Sequence, residues 1–394
     1  MNVLVLHSAL GTLRGGGEYF TRNLFTEFMK RGHKVSAAFL ADLKGEYPMP
    51  LPDGINPLPL PGWWSPSFGQ VTLSKIGGYL SGKSSLNAYW NRVHEALSWR
   101  TFRWHGRRVQ RRIEREFANR WQEFDVVYVH GDPFLARLVS SFCPTVLMLP
   151  GPVSSDFAPV LRAVHAVCAH DDALTLVREF LGDHLIELPL GISSQFFTPG
   201  PTPVRSTLGW TSNDLVMGYV GRLSHIKGVD LLSAAFYQNL QNFPNIKLLI
   251  VGSGVMDEHL RIALASAFEQ GKVHIEPAMP QECLAPWYRA MDLMVMPSRY
   301  ETMSSAVLEA MACGVPFLAS DVGGNSTLGM TGAGWLFQKG SSLSLSESLS
   351  SIIQNPSEMR ARGAIAPSYI RERHSWAASA ERLEIVIKTL LREK

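Results

Sequence analysis

The chain has 394 residues, of which 46% are hydrophobic, and it carries a net charge of +3. This length is enough for two domains of about 100–200 residues each, and the near balance of charge argues against a nucleic-acid binder. The four cysteines are scattered, with no C-x-x-C pair, which indicates free thiols in a reducing compartment. No run of about 18 apolar residues is present, so we expect no signal peptide, no membrane-spanning helix and a cytoplasmic location.

The first half of the chain has the alternating pattern of a parallel α/β domain. It begins with an apolar segment at residues 2–7, followed by a Gly-rich loop, an amphipathic helix at 18–30 and a strand at 34–40. Further strands are predicted at residues 55–60, 125–130, 145–149, 164–169 and 184–188. At the helix entry, Gly15, Gly16 and Gly17 let the backbone approach a phosphate or a sugar closely, although three glycines also suit a simple flexible turn.

Two stretches between residues 47 and 121 hold candidate binding side chains. Trp63 and Trp64 lie in a segment rich in Pro, Gly and Ser, where they could stack on a sugar, touch a membrane or pack onto their own domain. Residues 86–121 have a helical pattern, which carries eight arginines and two glutamates between residues 100 and 120. Such a helix suits anionic lipid headgroups or an acidic acceptor, and a solvated face is the alternative. The closely spaced arginines are Arg107, Arg108, Arg111, Arg112 and Arg115.

His130 ends the predicted strand at residues 125–130. In open α/β sheets, ligands bind outside the carboxyl ends of the strands, so this position favours a site residue. A histidine that closes a strand can equally have a structural role. The prolines and glycines between residues 189 and 203 then interrupt the pattern, so we expect the first domain to end near residue 190 and a linker to follow at 191–204.

The second domain restarts the alternation of strands and helices with a buried strand at 215–220. Arg222 and Lys227 follow this strand at the start of the next helix. Two cations at a helix start oppose the helix dipole, which indicates that they hold an anion, although they could be ordinary surface cations. A strand at 247–251 leads to Gly252 and Gly254, which predict a tight turn.

The stretch from Pro297 to Pro316 is predicted to be a loop and helix between two buried strands. Glu301 lies in the loop, where the free backbone N–H groups of Met303 and Ser304 begin. Glu309 lies about two helical turns further on, and we expect it to point away from the helix face that packs on the sheet. The alternative is that one glutamate favours the helix dipole and the other is a solvated surface residue. The predicted packing face consists of Ala306, Val307, Ala310 and Met311.

Three segments of this sequence resemble the family 4 retaining glycosyltransferases of GT-B fold. They are GGGEYFTRNLFTEFMKRGHKVS near the amino terminus, GRLSHIKGVD after the strand at 215–220, and the stretch with the two glutamates, which runs on to Gly323 and Gly324. The resemblance covers roughly residues 3–391. It implies an α/β protein with two Rossmann-like domains whose parallel sheets face a central cleft. Residues 1–190 would form the acceptor side and residues 205–375 the donor-binding domain, with a helix at 376–394 crossing back to the first domain.

The resemblance also implies a role for each candidate residue. Arg222 and Lys227 would clamp the donor diphosphate and stabilise its charge as it leaves, and Glu301 would contact the donor sugar or its phosphate side. Glu309 would bind the ribose hydroxyls, and His130 would line the cleft beside the sugar. The remaining donor-binding positions would be Gly16, Gly17, Gly221, Gly252, Gly254, Met303 and Ser304.

The implied reaction is transfer of a sugar from a nucleotide-diphosphate sugar, with UDP-sugars favoured, to an acceptor hydroxyl with retention of configuration. No D-x-D cluster lies in these loops, so we expect neither a metal nor another cofactor. Two departures from the family pattern touch the sugar pocket: Thr302-Met303-Ser304 in place of G-F-G, and Ser326-Thr327 in place of P-E. These departures leave the sugar's identity open and favour an unusual donor or relaxed activity. Two rival functions also stay open, a nucleotide-sugar 2-epimerase and a non-catalytic nucleotide-sugar-binding module.

Overall fold

The computed structural model describes residues 1–7, 10, 16–40, 50–60, 115–117, 119–151, 153–170 and 177–392. It divides into two units. Unit 1 comprises Met1–Leu188 and Ser379–Lys394, and unit 2 comprises Pro189–Ala378. The pair Trp63 and Trp64 and most of the predicted basic helix at 86–121 lie outside the described residues.

Unit 1 contains a parallel sheet of seven strands in the order β3-β2-β1-β4-β5-β6-β7. The strands are β1 (Asn2–Leu6), β2 (Lys34–Leu40), β3 (Asn56–Leu60), β4 (Val126–His130), β5 (Thr145–Leu149), β6 (Ala166–Ala169) and β7 (Leu185–Glu187). Its described helices include α1 (Gly16–Lys30), α2 (Pro133–Val139) and α3 (Ala158–Leu161). The strand order reverses between β1 and β4, and in open α/β sheets ligands bind at such a reversal.

The local sequence explains why these elements form. Strand β5 is buried along its whole length, as expected for a parallel sheet that is covered on both faces. Helix α1 places Phe20, Leu24 and Phe28 at helical spacing on one buried face. Helix α2 begins after Asp132, whose carboxylate accepts a hydrogen bond from the backbone N–H of Leu135 at 3.0 Å.

Unit 2 contains a parallel sheet of six strands in the order β10-β9-β8-β11-β12-β13. The strands are β8 (Leu215–Val220), β9 (Ile246–Val251), β10 (Val273–Glu276), β11 (Leu293–Met296), β12 (Phe317–Ser320) and β13 (Gly334–Phe337). The helices that follow unit 1's three are α4 (Val204–Thr207), α5 (Val229–Leu240), α6 (Asp257–Ala263), α7 (Ala265–Glu269), α8 (Ala285–Arg289), α9 (Ser305–Ala312), α10 (Gly324–Gly329), α11 (Ser342–Ile353) and α12 (Pro356–Arg373). A last helix, α13 (Trp376–Arg392), begins in unit 2 and belongs to unit 1 from Ser379 onward.

The predicted fold class is confirmed, because both units have parallel sheets of Rossmann-like order. In unit 2 the order reverses between β8 and β11, and the loops after these two strands carry Arg222, Lys227 and Glu301. The short helices α3, α4, α6, α7 and α10 had not been predicted. Helix α10 begins directly at the glycine pair, where Gly323 has a φ of +56° that favours glycine.

Candidate functional site

The loop after β8 is held by a buried tyrosine. The Tyr219 hydroxyl donates a hydrogen bond to the backbone oxygen of Arg222 at 2.9 Å. A Cβ atom at Gly221 would come within 2.9 Å of that hydroxyl, so glycine leaves the room that the tyrosine needs. The Arg222 side chain is exposed, and within the described part of the chain it has no hydrogen bond or ion pair. Its guanidinium is therefore available to an anion.

Lys227 is paired with Glu301, which comes from the loop after β11. The lysine Nζ donates to both carboxylate oxygens, at 2.9 Å and 2.7 Å, and the Ser298 hydroxyl donates to Oε2 at 3.0 Å. The Glu301 side chain is only 9% exposed, whereas that of Lys227 is 27% exposed. The acidic partner lies 74 residues away in sequence, so inspection of the lysine's own loop could not reveal it.

Arg299 joins the same two loops. Its guanidinium donates to both oxygens of Asp230, at 2.8 Å and 2.6 Å, and to the backbone oxygen of His225 at 2.6 Å. Desolvation raises the pKa of Asp230, but the hydrogen bonds and charge of Arg299 outweigh it and lower that pKa overall. Gly228 has a φ of +68°, and a Cβ there would overlap the backbone oxygen of Pro297. The two loops are thus fixed against each other around the Lys227–Glu301 pair.

The start of helix α9 leaves backbone donors without acceptors. Ser304 caps the helix, since its hydroxyl accepts a hydrogen bond from the Val307 N–H at 3.4 Å. The N–H groups of the four residues from 303 to 306 have no hydrogen-bond acceptor among the residues that the structure describes. The Gly324 N–H donates to the Thr302 oxygen at 2.7 Å, which holds this loop on the glycine pair. A helix start of this kind favours an anion.

Glu309 is buried, so the alternative of a solvated surface residue is wrong. Glu309 is 4% exposed, and its helix α9 packs against both α12 and α8. Its carboxylate accepts hydrogen bonds from Gln281 Nε2 at 2.5 Å and from the Tyr288 hydroxyl at 2.7 Å. Burial raises the pKa of Glu309 to about 7, even though these two hydrogen bonds lower it. Conversely Ala306, which was expected on the packing face, is partly exposed.

Gly252 and Gly254 lie where the loop after β9 crosses the loop after β8. A Cβ atom at Gly252 would overlap the backbone oxygen of Gly221, and one at Gly254 would overlap that of Leu223. The Leu223 N–H also donates to the Ser253 oxygen at 3.0 Å. These glycines therefore allow two backbone segments to touch directly beside Arg222.

In unit 1, His130 lies in a cluster of rings and hydroxyls. Its ring stacks on His7 with a centroid distance of 4.3 Å, and its Nδ1 lies 3.2 Å from Thr21 Oγ1 and 3.3 Å from the Tyr128 hydroxyl. Desolvation, together with the positive charges that His7 and His170 can carry, keeps the pKa of His130 well below its usual value. A Cβ at Gly17 would come within 2.7 Å of His130 Nε2.

The structure thus groups the predicted site residues within each unit. In unit 1 it brings Gly17 against His130, whereas Gly16 has no described atom within 4 Å of the position of a Cβ. In unit 2 it joins the loops of Arg222 and Lys227 to those of Glu301, Met303 and Ser304. Sequence reasoning missed the partners of these residues. They are Asp230, Arg299, Ser298, Gln281 and Tyr288 in unit 2, and His7 and Thr21 in unit 1.

The described ranges contain neither a metal-binding cluster nor a membrane-spanning helix. Over those ranges, no group of three or more His, Cys, Asp and Glu side chains is arranged to hold a metal ion. None of the helices with described residues is both long and apolar enough to cross a membrane. Of the five closely spaced arginines, only Arg115 is described, and it is exposed.

The comparisons with known proteins agree with this arrangement. The family model of the group 1 glycosyl transferases matches residues 203–367, which include every candidate residue of unit 2. The chain is 30% identical to a D-inositol 3-phosphate glycosyltransferase of Segniliparus rotundus over 216 residues, or 52% of this chain. That alignment spans 47% of the relative, about half of its length. Residues 203–367 are therefore similar to the group 1 glycosyl transferases.

Solved structures share the fold over the whole chain. Sucrose-phosphate synthase from Thermosynechococcus elongatus superposes with a TM-score of 0.73 and 18% identity, covering 100% of both chains. The Anabaena protein HepE in complex with UDP superposes with a TM-score of 0.71 and 17% identity, covering 99% of this chain and 100% of that one. At these identities the likeness defines the fold, which is GT-B.

Proposed function

We propose that the protein is a glycosyltransferase that moves a sugar from a nucleotide-diphosphate sugar to an acceptor hydroxyl, with retention of configuration and without a metal. The observation that carries this proposal is the Lys227–Glu301 pair, which lies in the segment similar to the group 1 glycosyl transferases together with the free backbone amides that start α9. A half-buried cation–carboxylate pair beside unsatisfied donors suits a ligand that has both phosphate and hydroxyl groups.

The diphosphate of the donor would bind to the cations of unit 2. Negative charge grows on the diphosphate as it leaves, and Lys227 and the amides of Met303 and Ser304 are donors held in place before the reaction. The exposed guanidinium of Arg222 would add a further donor. When a phosphate takes the hydrogen bonds of Lys227, the Glu301 oxygens become free to accept hydrogen bonds from the sugar. The pair thus supplies one group for each part of the donor.

The nucleotide would bind beside Glu309. A carboxylate that accepts two hydrogen bonds can also receive the ribose hydroxyls, and Gly221, Gly252 and Gly254 provide bare backbone in the loops after β8 and β9. UDP is the nucleotide to test first, because HepE, a protein of the same fold, was solved with UDP.

In this proposal residues 205–375 hold the donor and residues 1–190 receive the acceptor. His130, beside Gly17 and near Gly16, would position the donor sugar or the acceptor hydroxyl. The low pKa of His130 leaves the ring neutral at ordinary pH, which suits hydrogen bonding to a hydroxyl. The leaving phosphate would take the acceptor proton, which is the front-face route that retention implies.

The proposed place of action is the cytoplasm, at the inner face of a membrane. The support is the cluster Arg107, Arg108, Arg111, Arg112 and Arg115, since each basic residue near an anionic surface is worth about 1 kcal/mol. Co-sedimentation with anionic liposomes at low salt tests it. With neutral liposomes the protein should stay in the supernatant. If it also stays there with anionic liposomes, these arginines are only a solvated face.

The function is tested by incubating the purified protein with nucleotide sugars, with and without acceptors. A transferase releases nucleoside diphosphate faster with the right acceptor, an epimerase interconverts sugars without one, and a binding module does neither. A thermal-shift screen finds the donor, because a ligand at a hundredfold excess over its Kd stabilises the fold by about 2.7 kcal/mol. Sugar interconversion without an acceptor, or binding without turnover, would overturn the proposal.

A further inference from the structure

Three histidines lie at the carboxyl ends of strands in unit 1. His7 follows β1, His130 ends β4 and His170 follows β6. Strands β1 and β4 are neighbours, so His7 and His130 come together and stack with their ring planes inclined by 16°. His7 is 5% exposed, and nothing in the proposed transfer uses it. A nearly buried histidine that contacts a candidate site residue is itself a candidate functional group.

One hydroxyl connects the two stacked rings. Thr21 Oγ1 lies 3.1 Å from His7 Nδ1 and 3.2 Å from His130 Nδ1, and Thr21 itself is fully buried. A hydroxyl has a single proton, so it can donate to one of these nitrogens and must accept from the other. The protonation of the two rings is therefore linked through Thr21.

The far side of His7 faces a carboxylate. His7 Nε2 lies 3.5 Å from Glu18 Oε1, so the proton of a neutral His7 ring is favoured on Nε2. The bare Nδ1 of that ring then receives the Thr21 proton, and Thr21 in turn accepts the N–H of His130 Nδ1. In this state His130 Nε2, the nitrogen nearest Gly17, is an acceptor.

We propose that Thr21 is a positioning residue that transmits the protonation state of His7 to His130 and so decides whether His130 Nε2 accepts or donates a hydrogen bond. Three protons move in this step. One proton arrives at His130 Nε2, the Nδ1 proton of His130 passes to Thr21, and the hydroxyl proton of Thr21 passes to His7 Nδ1. His7 becomes an imidazolium beside Glu18, and His130 remains neutral with its proton on Nε2.

The other titratable groups of the cluster do not replace this link. The Tyr128 hydroxyl contacts Thr21 and lies 3.3 Å from His130 Nδ1, but within the described residues it makes no hydrogen bond with His7. His170 donates or accepts at Nδ1 with the backbone oxygen of Leu188 at 2.8 Å, and its ring contacts Phe20 at 4.6 Å between centroids. Among these groups, only the Thr21 oxygen contacts both stacked rings. Removal of the Thr21 hydroxyl should therefore uncouple the protonation of His130 from that of His7.

The test is a pH titration of the full chain with histidine ring nitrogens labelled with ¹⁵N. In wild type, the two ring-nitrogen resonances of His130 should exchange character, from protonated Nδ1 to protonated Nε2, over the same pH range in which His7 gains its charge. Thr21→Val keeps the shape but removes the hydroxyl, so His7 should titrate while the His130 tautomer no longer follows. Thr21→Ser keeps the hydroxyl and should restore the coupling.

Two results would overturn the inference. One is a His130 tautomer in wild type that stays constant while His7 titrates, and the other is a Thr21→Val variant that still follows His7. Tyr128→Phe is the control that should retain the coupling. The role of this link in catalysis rests on the proposed function. The measurement itself needs no sugar and does not depend on that function. If the protein proves not to be a transferase, the titration still decides the role of Thr21.

Discussion

The two candidate sites are built from different kinds of interaction. In unit 2, charged pairs between loops hold the site: Lys227 with Glu301, and Arg299 with Asp230. In unit 1, the site around His130 is held by ring stacking and by neutral hydroxyls, those of Thr21 and Tyr128. A charged site suits a ligand whose charge changes during reaction, whereas a neutral site suits orientation of a hydroxyl. The two candidate sites should therefore respond differently to substitution.

The largest effect is expected at Lys227. Lys227→Ala removes a fixed donor to the leaving diphosphate, and we expect turnover to fall on the order of a hundredfold or more. The variant also leaves Glu301 without its cation, so the free energy of unfolding should fall by about 1–3 kcal/mol. Steady-state transfer assays and thermal unfolding measure the two losses.

Arg222 and Lys339 provide the controls for that prediction. Arg222→Ala should lower turnover without the loss of stability, since the exposed guanidinium has no partner in the described ranges. Lys339→Ala removes an exposed lysine elsewhere in unit 2 and should change neither quantity. A Lys227→Ala variant that unfolds earlier yet transfers sugar at the wild-type rate would leave the lysine with a purely structural role.

A smaller effect on turnover is expected at His130. His130→Ala should lower turnover by about ten- to a hundredfold, because a positioned hydrogen-bonding group is lost while the leaving phosphate can still take the proton. The affinity for UDP, measured by calorimetry, should stay near that of wild type. An equal loss of UDP affinity would mean that the ring belongs to the nucleotide site and that the contrast between the two units is wrong.

Gly17 tests how closely His130 must be placed. The added methyl group of Gly17→Ala would come within 2.7 Å of His130 Nε2 and should displace the ring, lowering turnover by about tenfold. Gly16→Ala is the matched control one residue away, where the methyl group meets no described atom within 4 Å. Transfer rates of the two variants should therefore differ. Equal rates would show that the glycines matter for the loop and not for the ring.

The strands and the charged motif residues could be predicted from sequence, and their partners could not. Strands β5 and β8 begin and end where expected, because a buried parallel strand is a short apolar run between turn residues. Arg222 and Lys227 could be identified from the sequence because cations at a helix start are unusual. Glu301 as the partner of Lys227 depends on which strands are neighbours in the sheet, here β8 and β11.

The burial of Glu309 could not be predicted either. Helical periodicity predicts which residues of α9 share a face, but it carries no information on which neighbouring helices cover the helix, here α8 and α12. His7 and Thr21 were missed because an isolated histidine after a strand and a threonine in a helix have no charge pattern. Their role arises only when β1, β4 and α1 bring three side chains together.

The last prediction concerns the carboxylate that the charged site buries. The pKa of Glu309 is raised from 4.5 to about 7 in the folded protein. Below about pH 4.5 the carboxyl is protonated in both the folded and the unfolded chain, so its contribution to stability is fully present. As the pH rises from about 4.5 to about 7 the unfolded chain loses this proton while the folded chain keeps it, so stability falls, by roughly 3 kcal/mol at most, and levels off at higher pH.

Glu309→Gln removes that pH dependence. The amide stays neutral, so the variant should equal wild type near pH 4.5 and unfold at a higher temperature than wild type at pH 8. Its affinity for UDP should nevertheless fall, because an amide offers one acceptor oxygen where the carboxylate offers two. Glu347→Gln, at an exposed position of α11, is the matched control and should follow wild type throughout. Parallel melting curves for Glu309→Gln and wild type between pH 4.5 and pH 8 would show that Glu309 is ionised in the fold at no cost, and the charged site would then bind its ligand without a strained carboxylate.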